Sequence, residues 1–137
     1  MNWSVGDVLP PWQVTITREQ VVRYAGASDD YNPIHYDDAL ARDFGLPGAI
    51  AHGMLSMGLM ARYMTQVLGT RHFSSFGARF RAMVEPGDTV EFSGRVTAVD
   101  GSRVSVQVTA EVWGKGGKVV AVQGKAELAA AEKEANA

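Results

Sequence analysis

The chain has 137 residues, a formal net charge of −2 at pH 7 and 46% hydrophobic residues, which is one domain's length of chain with enough apolar side chains for a core and no charge excess that calls for nucleic acid. It has no cysteine, so disulfides and thiolate metal sites are excluded. No apolar run approaches the ~20 residues that span a bilayer, and the N-terminus has no basic-then-apolar signal pattern, so a cytoplasmic protein with no membrane partner is expected.

Residues 3–11 read as an entry segment punctuated by Gly6, Pro10 and Pro11. Trp12 to Ile16 alternates apolar and polar, the pattern of a short strand. Thr17 then opens a helix, with Gln20 at capping-box spacing, an apolar face of Val21, Val22 and Ala25, and Gly26 as a stop.

The stretch Ser28 to Tyr36, S-D-D-Y-N-P-I-H-Y, places Asp30 and His35 on either side of an Asn32-Pro33 turn. Pro33 fixes its own φ and pushes Asn32 into an extended conformation, and the Asn32 side chain can bond nearby backbone. A histidine beside a carboxylate is an acid/base couple. The bland reading, a solvated acid and a part-exposed histidine in a surface loop, stays open on residue types alone.

Asp37 caps a second short helix, Asp38 to Phe44, which Gly45, Pro47 and Gly48 end. Ile50 to Gly69 follows, apolar almost all round from Met54 to Ala61 with only Ser56 interrupting. Such a helix is buried, and a curved sheet wrapped around it is the simplest arrangement. Gly53 stands at its N-terminus, where free N–H groups and the dipole favour negative charge.

In the second half, Arg79 to Val84 alternates, E-P-G-D at residues 85–88 is a turn, and Val90 to Val99 is a long strand. D-G-S at residues 100–102 marks a hairpin, Val104 to Val112 alternates, G-K-G-G at residues 114–117 turns again, and Val120 to Leu128 alternates. His72 falls in a loop, and residues 129–137 read as a disordered tail. The sum is a single α+β domain over residues 1–137 with an antiparallel meander. An exposed sheet edge is expected, which pairing in a dimer would cover.

Y-A-G-A-S-D-D-Y-N-P-I-H-Y-D-D together with A-H-G-M at residues 51–54 resembles the MaoC-like (R)-specific enoyl-CoA hydratases and (3R)-hydroxyacyl-thioester dehydratases, and within them actinobacterial acyl dehydratase subunits. The resemblance runs from about Val5 through the V-E-P-G-D turn to the final strands. It implies a hot-dog fold: an antiparallel sheet around a long central helix, about Met54 to Leu68, with a helical insertion, Thr17 to Gly48, carrying the catalytic turn. It implies Asp30 and His35 as catalytic residues and Gly53 as donor of an N–H to the thioester carbonyl. Asp29 competes with Asp30, but the spacing to Asn32-Pro33 and His35 selects Asp30; Asp29 either tunes His35 or faces solvent.

The activity implied is reversible hydration of trans-2-enoyl thioesters of coenzyme A or an acyl carrier protein to (R)-3-hydroxyacyl thioesters. It needs a water held between Asp30 and His35 and a stabilised enolate oxygen, with no metal and no organic cofactor. A homodimer is expected, with a heterodimer open. A catalytic or stabilising subunit of a heterodimeric acyl-carrier-protein dehydratase and a thioesterase on the same fold are the alternatives. Asn32 and Pro33 are read as architects of the turn, His52 as a structural histidine that shapes the site, and Ser56 as bonding either catalytic groups or helix backbone. Asp30, His35 and His52 are the residue types of a two-histidine, one-carboxylate metal site, but the motif places them for water activation. Met54, Met57, Met60 and Met64 are adaptable core or an acyl tunnel. Arg71, Arg79, Arg81, Lys115 and Lys118 are either phosphate contacts or a solvated strand face.

Overall fold

The computed structural model describes residues 2–69, 71–114 and 117–130. Its elements in chain order are β1 (Val8–Thr15), α1 (Arg18–Ser28), a 3-10 turn (Pro33–His35), α2 (Asp38–Asp43), α3 (Gly53–Leu68), β2 (Arg71–Phe80), β3 (Thr89–Asp100), β4 (Arg103–Gly114) and β5 (Gly117–Ala130). The five strands form one sheet in the order β1-β3-β4-β5-β2, and every neighbouring pair is antiparallel. This is the α+β layout that the resemblance implies. No helix among the described residues is long and apolar enough to cross a membrane.

The core lies between α3 and the inner face of the sheet. Leu55, Leu59, Met60, Tyr63, Met64 and Leu68 of α3 meet Phe92 and Val96 of β3, Val106 and Val108 of β4, and Val122, Ala126 and Leu128 of β5. The strand residues recur at every second position, so one face is buried and the other meets water. Each such aliphatic side chain contributes about 1.5–3 kcal/mol on burial. Two glycines allow close approaches, Gly94 between neighbouring strands and Gly124 between the sheet and α3. A Cβ on Gly94 would sit 2.7 Å from the Gln107 carbonyl, and one on Gly124 would sit 2.5 Å from Met60 Sδ.

Tyr63 binds α3 to the β1 edge. A register shift between Leu9 and Trp12 takes Pro10 and Pro11 out of the ladder. The freed Pro10 carbonyl accepts from the Tyr63 hydroxyl at 2.8 Å, and the Tyr63 ring stacks on Trp12. Burial pushes the phenol up to about 12. Prolines and a bulge protect the β1 edge; β2, the other edge, has neither proline nor covering strand among the described residues.

Several boundaries differ from the reading of the sequence. β1 begins at Val8, inside the expected entry segment. α1 runs through Gly26 to Ser28, and Asp29, in the left-handed region at φ 58°, caps it. α2 ends at Asp43, with Phe44 as its C-cap and 70% exposed. Residues 71–80 form β2, which places His72 in a strand, and the alternation expected from Arg79 to Val84 leaves the sheet at Phe80. Ala129 and Ala130 pair with His72 and Arg71 and so belong to β5; the rest of the expected tail, and Lys115 with Gly116 of the expected turn, lie outside the described residues. α3 is buried on one face only, with Met54 at 57% exposure. The sheet covers one side of it, and an apolar composition does not supply a second layer.

Gly94→Ala is expected to lose about 1–3 kcal/mol by urea unfolding, more than Gly124→Ala, because a backbone carbonyl cannot swing aside as a methionine can. Wild-type stability in Gly94→Ala would refute the close approach. The raised Tyr63 value means its contribution is full below pH 10 and is lost as pH rises through about 12. Tyr63→Phe is expected to flatten that alkaline decline in midpoint measurements.

Candidate active site

The site is assembled by short-range hydrogen bonds around the Asn32-Pro33 turn. Thr17 caps α1 by accepting from the Gln20 N–H. At the other end the Asp29 and Asp30 N–H groups both return to the Ala25 carbonyl, and the chain reverses. The Asn32 N–H donates to Asp30 Oδ1 at 3.3 Å, and the Ile34 N–H donates to Asn32 Oδ1 at 3.2 Å. Pro33 stands in the first turn of the 3-10 segment, where its missing N–H costs nothing. Asn32 and Pro33 thus have the architectural place read from the sequence.

Asp38 ties this insertion to the chain that enters α3. Its carboxylate accepts from the Ala49 N–H at 2.9 Å and from Arg18 of α1 at 3.2 Å. The Ala49 bond, and after it Arg18, hold its carboxyl below the ordinary value. The Ile50 N–H donates to the Ile34 carbonyl, and the Ala51 N–H to the Val84 carbonyl.

Asp30, His35 and His52 come together at the centre. His35 is 8% exposed and His52 3%, while half of the Asp30 side chain is open. His35 Nδ1 lies 2.7 Å from the Ile50 carbonyl. A carbonyl only accepts, so Nδ1 carries a hydrogen, and Nε2 is the ring nitrogen turned towards Asp30. Nε2 and Asp30 Oδ2 are 3.8 Å apart, too far for a direct hydrogen bond and the right separation for one shared water.

His52 stacks on His35 with ring centroids 3.7 Å apart and meets Tyr24 edge-on. Its Nε2–H donates to the Asp30 carbonyl at 3.1 Å, and its Nδ1 is buried with no hydrogen-bond partner among the described residues. His52 is therefore packed into the cluster, with one ring nitrogen bonded and the other without a partner among the described residues. One donor atom from each of Asp30, His35 and His52 lies within 4.8 Å of the others, so a cation is sterically conceivable. Yet His52 Nε2 must carry a proton for its carbonyl bond, leaving no lone pair there for a metal.

α3 begins directly after His52. Among the described residues the N–H groups of Gly53 and Met54 have no hydrogen-bond partner, while those of Leu55 and Ser56 go to the His52 carbonyl. Two free N–H groups at the positive end of a 16-residue helix suit a developing oxyanion. The Phe80 ring, 49% exposed at the end of β2, lies 3.2 Å from where a Gly53 Cβ would be. Ser56 is buried one turn on, and its hydroxyl bonds neither catalytic groups nor backbone among the described residues.

The sequence reading missed Ile50, Tyr24 and Phe80. Ile50 acts through its carbonyl, which no side-chain pattern reveals. Asp29 is exposed, and His72 is exposed in β2, away from the cluster. Lys118 pairs with Glu91 at 3.2 Å, Arg79 and Arg81 lie on β2 and just beyond it, and the Arg71 side chain and Lys115 fall outside the described residues.

The sequence profile described as MaoC like domain matches residues 6–116. The chain is 33% identical over 120 residues to the (R)-specific enoyl-CoA hydratase of Rhodospirillum rubrum, covering 82% of this chain and 78% of that protein. It spans only 5% of the Aspergillus oryzae fatty acid synthase subunit beta, to which it is 38% identical over 109 residues. Among solved structures, the (R)-hydratase from A. caviae aligns with a TM-score of 0.84 at 26% identity over 93% of this chain and 97% of the other. The ChsH1-ChsH2 complex from Mycobacterium tuberculosis aligns with a TM-score of 0.84 at 29% identity over 93% and 98%. With the profile spanning most of the length and the sheet, helix and turn falling where the motifs required, the chain belongs to the MaoC-like domain family.

Proposed function

We propose that this chain hydrates trans-2-enoyl thioesters of coenzyme A or an acyl carrier protein to (R)-3-hydroxyacyl thioesters, and dehydrates them in reverse. The observation that carries the reading is the 3.8 Å gap between two acceptors, His35 Nε2 and Asp30 Oδ2. A water in that gap donates one hydrogen to each, and one of its two lone pairs is left to face substrate. As that lone pair bonds to the β carbon, one acceptor takes a proton from the water and electron density moves through the α carbon to the thioester oxygen. The Gly53 N–H receives this oxygen. The proton then passes to the α carbon on the same face, so that one water has been added. The exposed side of Asp30 and the half-exposed Phe80 leave an approach for the acyl chain. His52 holds the Asp30 backbone and one face of His35.

Assembly follows from the sheet. The unprotected β2 edge and the uncovered side of α3 favour a dimer through β2, with a second copy as the expected partner. Similarity to the ChsH1-ChsH2 complex supports the second reading, a subunit of a heterodimeric dehydratase. Light scattering of the purified chain separates the two: a stable dimer supports the first, a monomer without turnover the second.

The first test is loss of the conjugated thioester absorbance of crotonyl-CoA, with product chirality checked. Asp30→Asn and His35→Ala are each expected to lower kcat by about 10²–10⁴ with the circular dichroism spectrum unchanged. Wild-type turnover in either folded variant sinks the assignment, and release of free thiol would identify a thioesterase instead.

Gly53→Pro is expected to lower kcat by about 10²–10³, the worth of one oxyanion donor. Proline suits the first position of a helix, so this variant keeps α3 while losing the N–H. Gly53→Ala keeps the N–H and only nudges the exposed Phe80 ring, so its loss is expected to be smaller. Equal losses would remove the oxyanion role.

A further inference from the structure

The face of the sheet turned away from α3 carries a feature that the catalytic turn does not use. Gly124 faces α3, since a Cβ there would strike Met60. Its paired neighbours Val108 and Ala78 share that face. By strand alternation Gln107, Thr109, Gln123, Lys125 and Arg79 face the other way. With Arg81 they line a depression of about 540 Å³, within the ~300–1,000 Å³ typical of small-ligand sites. A Cβ on Gly77 would find nothing within 4 Å, so the rim is open there.

This depression is basic. Arg79, Arg81 and Lys125 line it, no acid does, and Arg95 stands in the same cross-strand row as Gln107, Lys125 and Gly77. None of the four cations has an ion pair among the described residues, although the chain as a whole is slightly acidic. The Arg81 Nε–H donates to Gln123 Oε1 at 3.0 Å, which fixes the guanidinium beside the hollow. Two guanidinium forks and an ammonium around an open hollow, with amide and hydroxyl groups between them, suit a compact, multiply charged phosphate compound.

The depression is joined to the candidate site by the end of β2. Phe80 lies between Arg79 and Arg81 in sequence, and its ring lies against Gly53 at the start of α3. We propose that the depression holds the phosphates at the adenosine end of coenzyme A, whose pantetheine arm passes round the end of β2, beside Phe80, to Gly53. The inference rests on the acyl-thioester reading given above. It selects coenzyme A over a carrier protein, because a carrier arm ends in a single phosphodiester and leaves a nucleotide-sized hollow unfilled.

The test separates this inference from the reading beneath it by measuring binding without turnover. The purified chain is titrated with adenosine 3′,5′-bisphosphate by calorimetry, and kcat/KM is measured for crotonyl-CoA and for crotonyl-pantetheine, which lacks the nucleotide. In the double variant Arg79→Glu, Lys125→Glu, bisphosphate binding is expected to weaken at least tenfold. The ratio of kcat/KM for crotonyl-CoA to that for crotonyl-pantetheine is expected to fall at least tenfold. Arg79→Gln with Lys125→Gln gives the same direction with a smaller fall, and serves where charge reversal disturbs folding. No binding of the bisphosphate by the wild-type chain, or an unchanged ratio, overturns the proposal. Bisphosphate binding that weakens in a chain hydrating neither thioester upholds the anion site and overturns the activity. An unchanged ratio in an active enzyme does the reverse.

Discussion

The 2.7 Å bond from His35 Nδ1 to the Ile50 carbonyl is the constraint on which the site depends. It puts a hydrogen on Nδ1 and turns Nε2 towards Asp30. It also joins the catalytic turn to the segment entering α3. Ile50 is held in turn by its own N–H bond to Ile34, so turn and segment form a small two-stranded clasp. Asp38 closes this clasp from outside through Ala49 and Arg18. Each member of the set is positioned by backbone, with few degrees of freedom left to side chains.

His52 gives the arrangement its second layer. Its ring lies flat on His35 and bonds the carbonyl of Asp30, so one buried side chain braces both partners of the acceptor pair. The next residue, Gly53, starts α3. The brace and the free helix N–H groups are therefore consecutive in the chain, and their spacing is set by covalent geometry. A Cβ on Gly53 would sit 3.2 Å from the Phe80 ring, a tight contact that a small shift of the ring relieves.

How much of this the sequence made legible depends on how local each feature is. The long alternating strands β3, β4 and β5 and the Thr17 and Asp37 caps follow from period, capping residues and turn residues, and the structure keeps them with small changes of boundary; the extent of α3 came from the family resemblance. The proximity of Asp30 and His35 was legible because Asn32-Pro33 determines a tight local turn. β2 was not, because R-H-F-S-S-F-G-A-R-F has no clean alternation. It is a strand by virtue of its pairing with β5, across a register shift between Phe73 and Ser75. The end of α1 was misplaced for a related reason. Gly26 looks like a stop, but helical packing carries the chain on to Asp29, an acidic residue in a conformation that usually selects glycine. The role of Ile50 was invisible because the working atom belongs to the backbone.

The two faces of the sheet are linked by the alternation of one strand end. Along Arg79, Phe80 and Arg81 the side chains alternate between the basic depression and the start of α3. A pleated strand has a side-chain period of two, so moving β2 by one residue would turn a guanidinium towards Gly53 and an aromatic ring to the outer face. The pairing Phe80↔Val122 and Arg79↔Gln123 with β5 holds that register, and Gly124, two residues beyond Val122, is the glycine that lets Met60 of α3 seat against the sheet. One register therefore seats the helix, aims the ring at its N-terminus and keeps the cations outside. A slip that relieved any of these would disrupt the other two.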